Sequence, residues 1–110
     1  ISGDDMIALP VVLAGGAGVF SVIGHGFSKE FSEMNGLGLN RKVDDAYKIH
    51  NKLVEITRMI FEEGNPSGIK TVLAEKGLIK NYLRLPLITA SDSLQQRIKL
   101  EMTKIALSDK

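Results

Sequence analysis

Apolar positions fall into one compact run and several helical stripes. Ile1-Ser2 reads as the tail of a buried strand. The run from Ala17 to Ile23, rich in β-branched and aromatic residues and bounded by glycines, predicts a strand buried on both faces. Between them, Met6 to Ala14 has helix length. Asp4 or Asp5 is expected to cap that helix, Pro10 marks a kink or a late start, and Gly15-Gly16 stops it by taking positive φ.

The remaining pattern is helical. Gly24-His25-Gly26 makes a turn, and Ser28 then opens a helix that Gly36 and Gly38 weaken. Lys42 to Glu63 has no internal Gly or Pro, and Val43, Ala46, Tyr47, Leu53, Val54, Ile60 and Phe61 recur at three- and four-residue spacings, which predicts a long amphipathic helix. Asn65-Pro66 is expected to cap and start the next helix, with Ile69, Val72 and Leu73 buried and Gly77 closing it. Leu83-Arg84-Leu85-Pro86-Leu87 predicts an extended connector, before Asp92 or Ser93 caps a last helix to about Leu107. The order is strand end, helix, strand, helix, then three helices. This is α/β class: residues 1–40 close a parallel barrel and residues 41–110 form a helical extension.

Composition narrows the function classes. The chain has 110 residues, 44% hydrophobic and 25% charged, with net charge +1, so it is an ordinary globular sequence. A chain of this size buries roughly two thirds of its unfolded surface, which leaves long apolar elements in need of neighbours. Its 14 basic and 13 acidic residues are interspersed, with four Phe and two Tyr, which argues against nucleic acid as a partner. No cysteine is present, which excludes disulfides, thiolate zinc sites and a cysteine nucleophile; cytoplasm is the expected compartment. Met6 to Ala14 is far shorter than the roughly 20 residues that span a bilayer, so no membrane association is expected.

Few residues offer chemistry. Asp4 and Asp5 resemble an acid/base pair, but adjacent turn residues point apart, and an aspartate opening a helix more commonly caps it. Two carboxylates there would also repel a substrate phosphate. Lys29 and Lys70 read as surface or structural lysines, because a Schiff-base lysine needs burial or a neighbouring cation. His25 follows a strand with no second ligand at metal spacing, and His50 sits among helix apolar positions. Gly15-Gly16-Ala17-Gly18 precedes a strand instead of joining one to a helix, so it is a helix stop and not a phosphate cradle. Glu62-Glu63 reads as solvated charge.

Taken in order, Ser2-Gly3-Asp4-Asp5, Gly18-Val19-Phe20-Ser21-Val22, Gly64-Asn65-Pro66 leading into Ile69-Lys70, and Leu83-Arg84-Leu85-Pro86 resemble the dihydrodipicolinate synthase family over nearly the whole chain. The resemblance implies the end of strand seven, strand eight and their helices from a (β/α)8 TIM barrel, followed by a three-helix C-terminal extension. It also implies an enzyme in which a lysine Schiff base, upstream of Ile1, condenses pyruvate with L-aspartate-4-semialdehyde. The product, 4-hydroxy-tetrahydrodipicolinate, leads to diaminopimelate and lysine, with no metal or organic cofactor. No catalytic residue is implied within this segment. Substrate-binding roles are implied for the main-chain carbonyl of Phe20 in the pyruvate pocket, and for Gly3 and Asp4, at the strand ends where barrels place their sites. Phe20 stands where an aliphatic residue is expected, and His25 where related sequences often carry asparagine. A homotetramer, as a dimer of dimers, is implied too. The alternatives are another pyruvate lyase of the superfamily, such as N-acetylneuraminate lyase or a keto-deoxy-sugar aldolase, and an inert truncated or assembly fragment.

Overall fold

The computed structural model describes residues 1–108. Among the described residues the α-helices are, in order, α1 (Ala8–Leu13), α2 (Ser28–Leu39), α3 (Val43–Glu62), α4 (Ser67–Glu75) and α5 (Asp92–Ser108), with a 3-10 turn at Ile23–His25 before α2. The chain divides into two compact units, Ile1–Val54 and Glu55–Lys110, whose boundary falls within α3.

In the first unit the expected strand is reduced to one parallel bridge, Ser2 with Val19. Ser2 N–H donates to Gly18 O and Phe20 N–H to Ser2 O, both at 2.9 Å. Burial on both faces is also corrected: within 17–23 only Ile23 is buried, and Phe20 is 79% exposed. A parallel strand is covered only when strands flank it and helices cover its faces. Among the described residues, Ile1-Ser2 is the sole segment paired with it.

The aspartate cap of α1 is likewise corrected. The helix begins at Ala8 after Ile7, with no side-chain cap. Its end is as expected: Gly15, at φ 110°, follows Ala14, Gly15 N–H donates to Val12 O, and Gly16 N–H reaches back to Val11 O at 2.9 Å. Helix α2 packs on α1 through Gly38, where a Cβ would lie 2.8 Å from Leu9 Cδ1 and 3.2 Å from Val12 Cγ1. The glycine that weakens α2 as a helix is therefore what admits α1. Leu9, Val12, Ile23, Phe31 and Met34 form the core of this unit. Arg41, just past α2 at φ 61°, donates from Nη1 to Leu13 O at 2.7 Å and so serves a free carbonyl at the end of α1.

The long helix forms as the pattern predicts, but its buried positions differ. Val43 and Phe61 are exposed, while Ile56, Thr57 and Met59 join Ala46, Leu53 and Ile60 in burial. In the second unit α3 meets α4 at Gly68, where a Cβ would sit 2.1 Å from Ile60 O and 2.4 Å from Ile60 Cα. Pro66, not Asn65, occupies the N-cap position of α4, without a side-chain cap. Ile69 and Val72 are buried, Leu73 is half-buried, and Gly77 at φ 74° closes the helix. The connector is free of helix as expected, but it is not extended throughout: Leu87 N–H donates to Arg84 O at 2.9 Å and closes a turn over Leu85-Pro86. The last helix is capped one residue earlier than expected, by Ser91, whose Oγ accepts from Leu94 N–H at 3.2 Å.

Polar ties join α3 to α5. Glu63 accepts from Ser91 N–H at 2.8 Å and from Ser91 Oγ, and Glu62 pairs with Arg97 and with Arg58, which also pairs with Glu55. The Arg97 hydrogen bond holds the Glu62 carboxyl below the usual carboxylate range, and the Ser91 hydroxyl and N–H do the same for Glu63.

Gly68→Ala should lower stability by about 3 kcal/mol, at the upper end for overpacking, because backbone and not a flexible side chain blocks the new methyl. Gly36→Ala, in a helix with nothing within 4 Å of its Cβ position, should raise stability by about 0.5–1 kcal/mol; urea denaturation of both variants checks the contrast. The pKa values of Glu62 and Glu63 are depressed by folding, so their stabilisation is complete above 4.5 and is lost as the pH falls through the lower folded values. The melting temperature should therefore fall on acidification below 4.5, and Arg97→Met should flatten part of that fall.

Candidate functional site

The residues singled out in the sequence meet at one edge of the first unit. The bridge from Ser2 to Val19 brings Gly3 alongside Phe20. Ser2, 5% exposed, ties this corner: its Oγ donates to Asp4 O at 2.9 Å and accepts from Asp4 N–H at 3.1 Å. A serine side chain closing on the backbone two residues ahead fixes a turn without secondary structure. Asp4 is exposed, and its Oδ1 accepts from Met6 N–H at 2.8 Å. It caps a turn and not α1.

Asp5 points the other way. It is 5% exposed, and its Oδ2 accepts from Val22 N–H at 3.0 Å and from Ile23 N–H at 2.9 Å, across 17 and 18 residues of sequence. Its Oδ1 is buried with no partner among the described residues. The two carboxylates therefore do not share a proton or a face, and an acid/base pair is excluded by their separate partners. Sequence reasoning missed the role of Asp5 because the groups it serves are distant in sequence and are backbone groups, which leave no residue-type signal.

Phe20 is 79% exposed. Its N–H is used by Ser2, and among the described residues no hydrogen bond reaches its carbonyl. Ser21 Oγ accepts from Gly24 N–H at 2.8 Å and holds the 3-10 turn that follows. Beside this stretch, segment 17–24 and α2 leave an open groove of about 460 Å³, lined by Gly18, Val19, Ser21, Phe31, Asn35 and Gly36 among others.

The other candidates lie elsewhere. Lys29 and His25 are exposed. Lys70 Nζ donates to Tyr82 O at 2.7 Å, a structural tie between α4 and the connector. His50 stacks edge-on against Tyr47, with centroids 5.4 Å apart at 78°, and burial lowers its pKa from the ordinary 6.5. A polar pocket of about 370 Å³ in the second unit is lined by Thr71, Glu75, Asn81, Asp92, Gln95 and Lys99 among others, with Lys99 and Glu75 paired at 3.6 Å. Among the described residues no three His, Cys, Asp or Glu side chains are grouped to hold a metal, and no helix is long and apolar enough to cross a membrane.

Residues 1–105 match the model of the dihydrodipicolinate synthetase family. The chain belongs to that family. It is 57% identical over 100 residues to the 4-hydroxy-tetrahydrodipicolinate synthase of Flavobacterium psychrophilum, which covers 91% of this chain and 34% of that protein. The crystal structure of dihydrodipicolinate synthase from Thermotoga maritima is similar with a TM-score of 0.92 at 30% identity, over 96% of this chain and 36% of that one. The pyruvate complex of the Acinetobacter baumannii synthase is similar with a TM-score of 0.91 at 28% identity, over 96% and 36%. The chain thus spans about a third of the length of the family members it matches. Gly3, Asp4 and Phe20 all lie within the family match.

Asp4→Asn should change stability by less than about 0.5 kcal/mol, because asparagine still presents an oxygen to Met6 N–H. Asp4→Ala, which removes that acceptor, should cost about 1 kcal/mol. Thermal melts of the two variants distinguish a local acceptor from a needed charge.

Proposed function

We propose that this chain is the C-terminal part of a 4-hydroxy-tetrahydrodipicolinate synthase: the end of strand seven, strand eight and their helices of a TIM barrel, with α3, α4 and α5 as the C-terminal extension. The observation that carries the reading is the 57% identity to the Flavobacterium psychrophilum synthase over 100 residues. The lysine that forms the Schiff base lies outside this chain. Its amine adds to the C2 carbonyl of pyruvate and loses water; the imine then gives up a methyl proton to become an enamine, which bonds to the aldehyde carbon of L-aspartate-4-semialdehyde.

Within that reaction this chain supplies one wall of the pocket. The Phe20 carbonyl faces the pyruvyl group, with Gly3 and Asp4 at the same mouth. Its freedom from any hydrogen bond among the described residues supports that role, as does the pairing that sets Gly3 beside it. The pyruvate bound in the Acinetobacter baumannii synthase supports the substrate. The same reading includes a cytoplasmic homo-oligomer, a tetramer built as a dimer of dimers; exposed Ile7, just before α1, and Pro10 within it offer apolar surface to a neighbour.

The test is to express the full reading frame that contains this sequence, treat the protein with pyruvate and borohydride, and measure intact and peptide masses. Reduction converts the imine to a stable secondary amine. The expected result is one adduct, on a lysine outside residues 1–110, retained in Phe20→Ala with at most a few-fold rise in the KM for pyruvate. Folded protein that takes up no pyruvate, or an adduct on Lys29 or Lys70, overturns the reading.

A further inference from the structure

We propose that Asp5 is a positioning residue for the pyruvate pocket, holding the peptide that carries the Phe20 carbonyl; this rests on the reading of Phe20 given above. The carbonyl of Phe20 belongs to the peptide joining Phe20 to Ser21. That peptide is anchored on both sides. On one side Phe20 N–H donates to Ser2 O at 2.9 Å; on the other Val22 N–H donates to Asp5 Oδ2 at 3.0 Å, followed by Ile23 N–H at 2.9 Å.

Both anchors come from one short segment, residues 2–5. Ser2 is tied to Asp4 through its hydroxyl, which braces the short segment that carries both anchors. Without Asp5, no hydrogen bond among the described residues ties the stretch after Phe20 back to that segment beyond the single bridge. A hydrogen-bond acceptor that receives a ligand group is effective when its direction is fixed before the ligand arrives. Phe20, a residue 79% exposed, has little packing of its own to fix that direction.

The carboxylate acts here as an acceptor and not as an acid. Oδ2 carries both hydrogen bonds, and Oδ1 carries none among the described residues. Asparagine can place its oxygen where Oδ2 lies and keep both bonds. Glutamate keeps the charge but carries the acceptor one methylene further. The two substitutions therefore separate position from charge in opposite directions.

The experiment uses the full-length protein that contains this chain, with steady-state kinetics in pyruvate and aldehyde and with borohydride trapping as a first control. Asp5→Asn is expected to fold and to keep the KM for pyruvate within a few-fold of the unmodified protein. Asp5→Glu is expected to raise that KM by about 10-fold or more, toward the ~100-fold that a displacement of about 1 Å can cost, with kcat less affected. The reverse order, in which Asp5→Glu stays active and Asp5→Asn loses kcat, overturns the proposal and makes the charge the functional property. Asp5→Asn that does not fold, or Asp5→Glu with unchanged pyruvate kinetics, overturns it as well. Failure of the unmodified protein to trap pyruvate would instead refute the reading of the parent enzyme, so the two failures are distinguishable.

Discussion

The Asp5 carboxylate and the Ser2 bridge tie the start of the chain to the stretch around Phe20, and the first unit is organised around that tie. Burying a carboxylate is costly unless hydrogen bonds replace its water, and two backbone donors meet one of its oxygens. Each such hydrogen bond contributes about 0.5–1.5 kcal/mol net, and a buried N–H left without its acceptor costs about 1–3 kcal/mol. One bridge of two backbone hydrogen bonds would hold the two extended segments weakly by itself. The carboxylate adds a second point of attachment beyond it, which turns a hinge into a fixed corner. Helix α1 then starts from that corner, and α2 closes on α1 where Gly38 leaves room.

The second unit is held differently. At Gly68 the backbones of α3 and α4 approach within the space a methyl group would need, so packing is set by the absence of a side chain. The polar ties from Glu62 to Arg97 and from Glu63 to Ser91 are exposed contacts between the end of α3 and the start of α5. Exposed ion pairs contribute little individually. Glu63 has a more specific part: it accepts from Ser91, the same residue whose hydroxyl caps α5, so the end of one helix fixes the start of another. The connector between α4 and α5 carries Tyr82, Leu85 and Ile88 at 71% exposure or more, a row of apolar groups that matches a chain spanning a third of its relatives.

Helices were legible in the sequence because their signals are local. Gly15 and Gly77 stop α1 and α4 through positive φ, and the unbroken stretch from Lys42 to Glu63 forms α3 within a residue at each end. Caps were less legible, since Ser91, Asp92 and Ser93 offer similar side chains and only the structure selects Ser91. The 17–23 stretch differs for another reason: β-branched and aromatic composition favours a strand only where partners flank it, and among the described residues only the Ser2 bridge does so. The meeting of Gly3 with Phe20 was readable only through family resemblance. The brace from Asp5 was not readable at all, because hydrogen bonds to backbone N–H groups place no demand on the residue types that donate them.

The same reasoning bears on why phenylalanine can stand at position 20. If the wall of the pocket is a main-chain carbonyl, its chemistry is independent of the side chain attached to it, and the exposure of Phe20 leaves the size of that side chain free within the unit. The constraint on sequence then moves away from the residue that meets substrate and onto those that hold its backbone, Ser2 and Asp5. Both are buried polar residues whose hydrogen bonds end on backbone atoms. A site built in this way has its chemical group in one place and its sequence signature in another. On the proposed reading the Ser2-Gly3-Asp4-Asp5 segment frames a binding wall; its observed hydrogen bonds, all directed at backbone groups, do not make it a pair of catalytic acids.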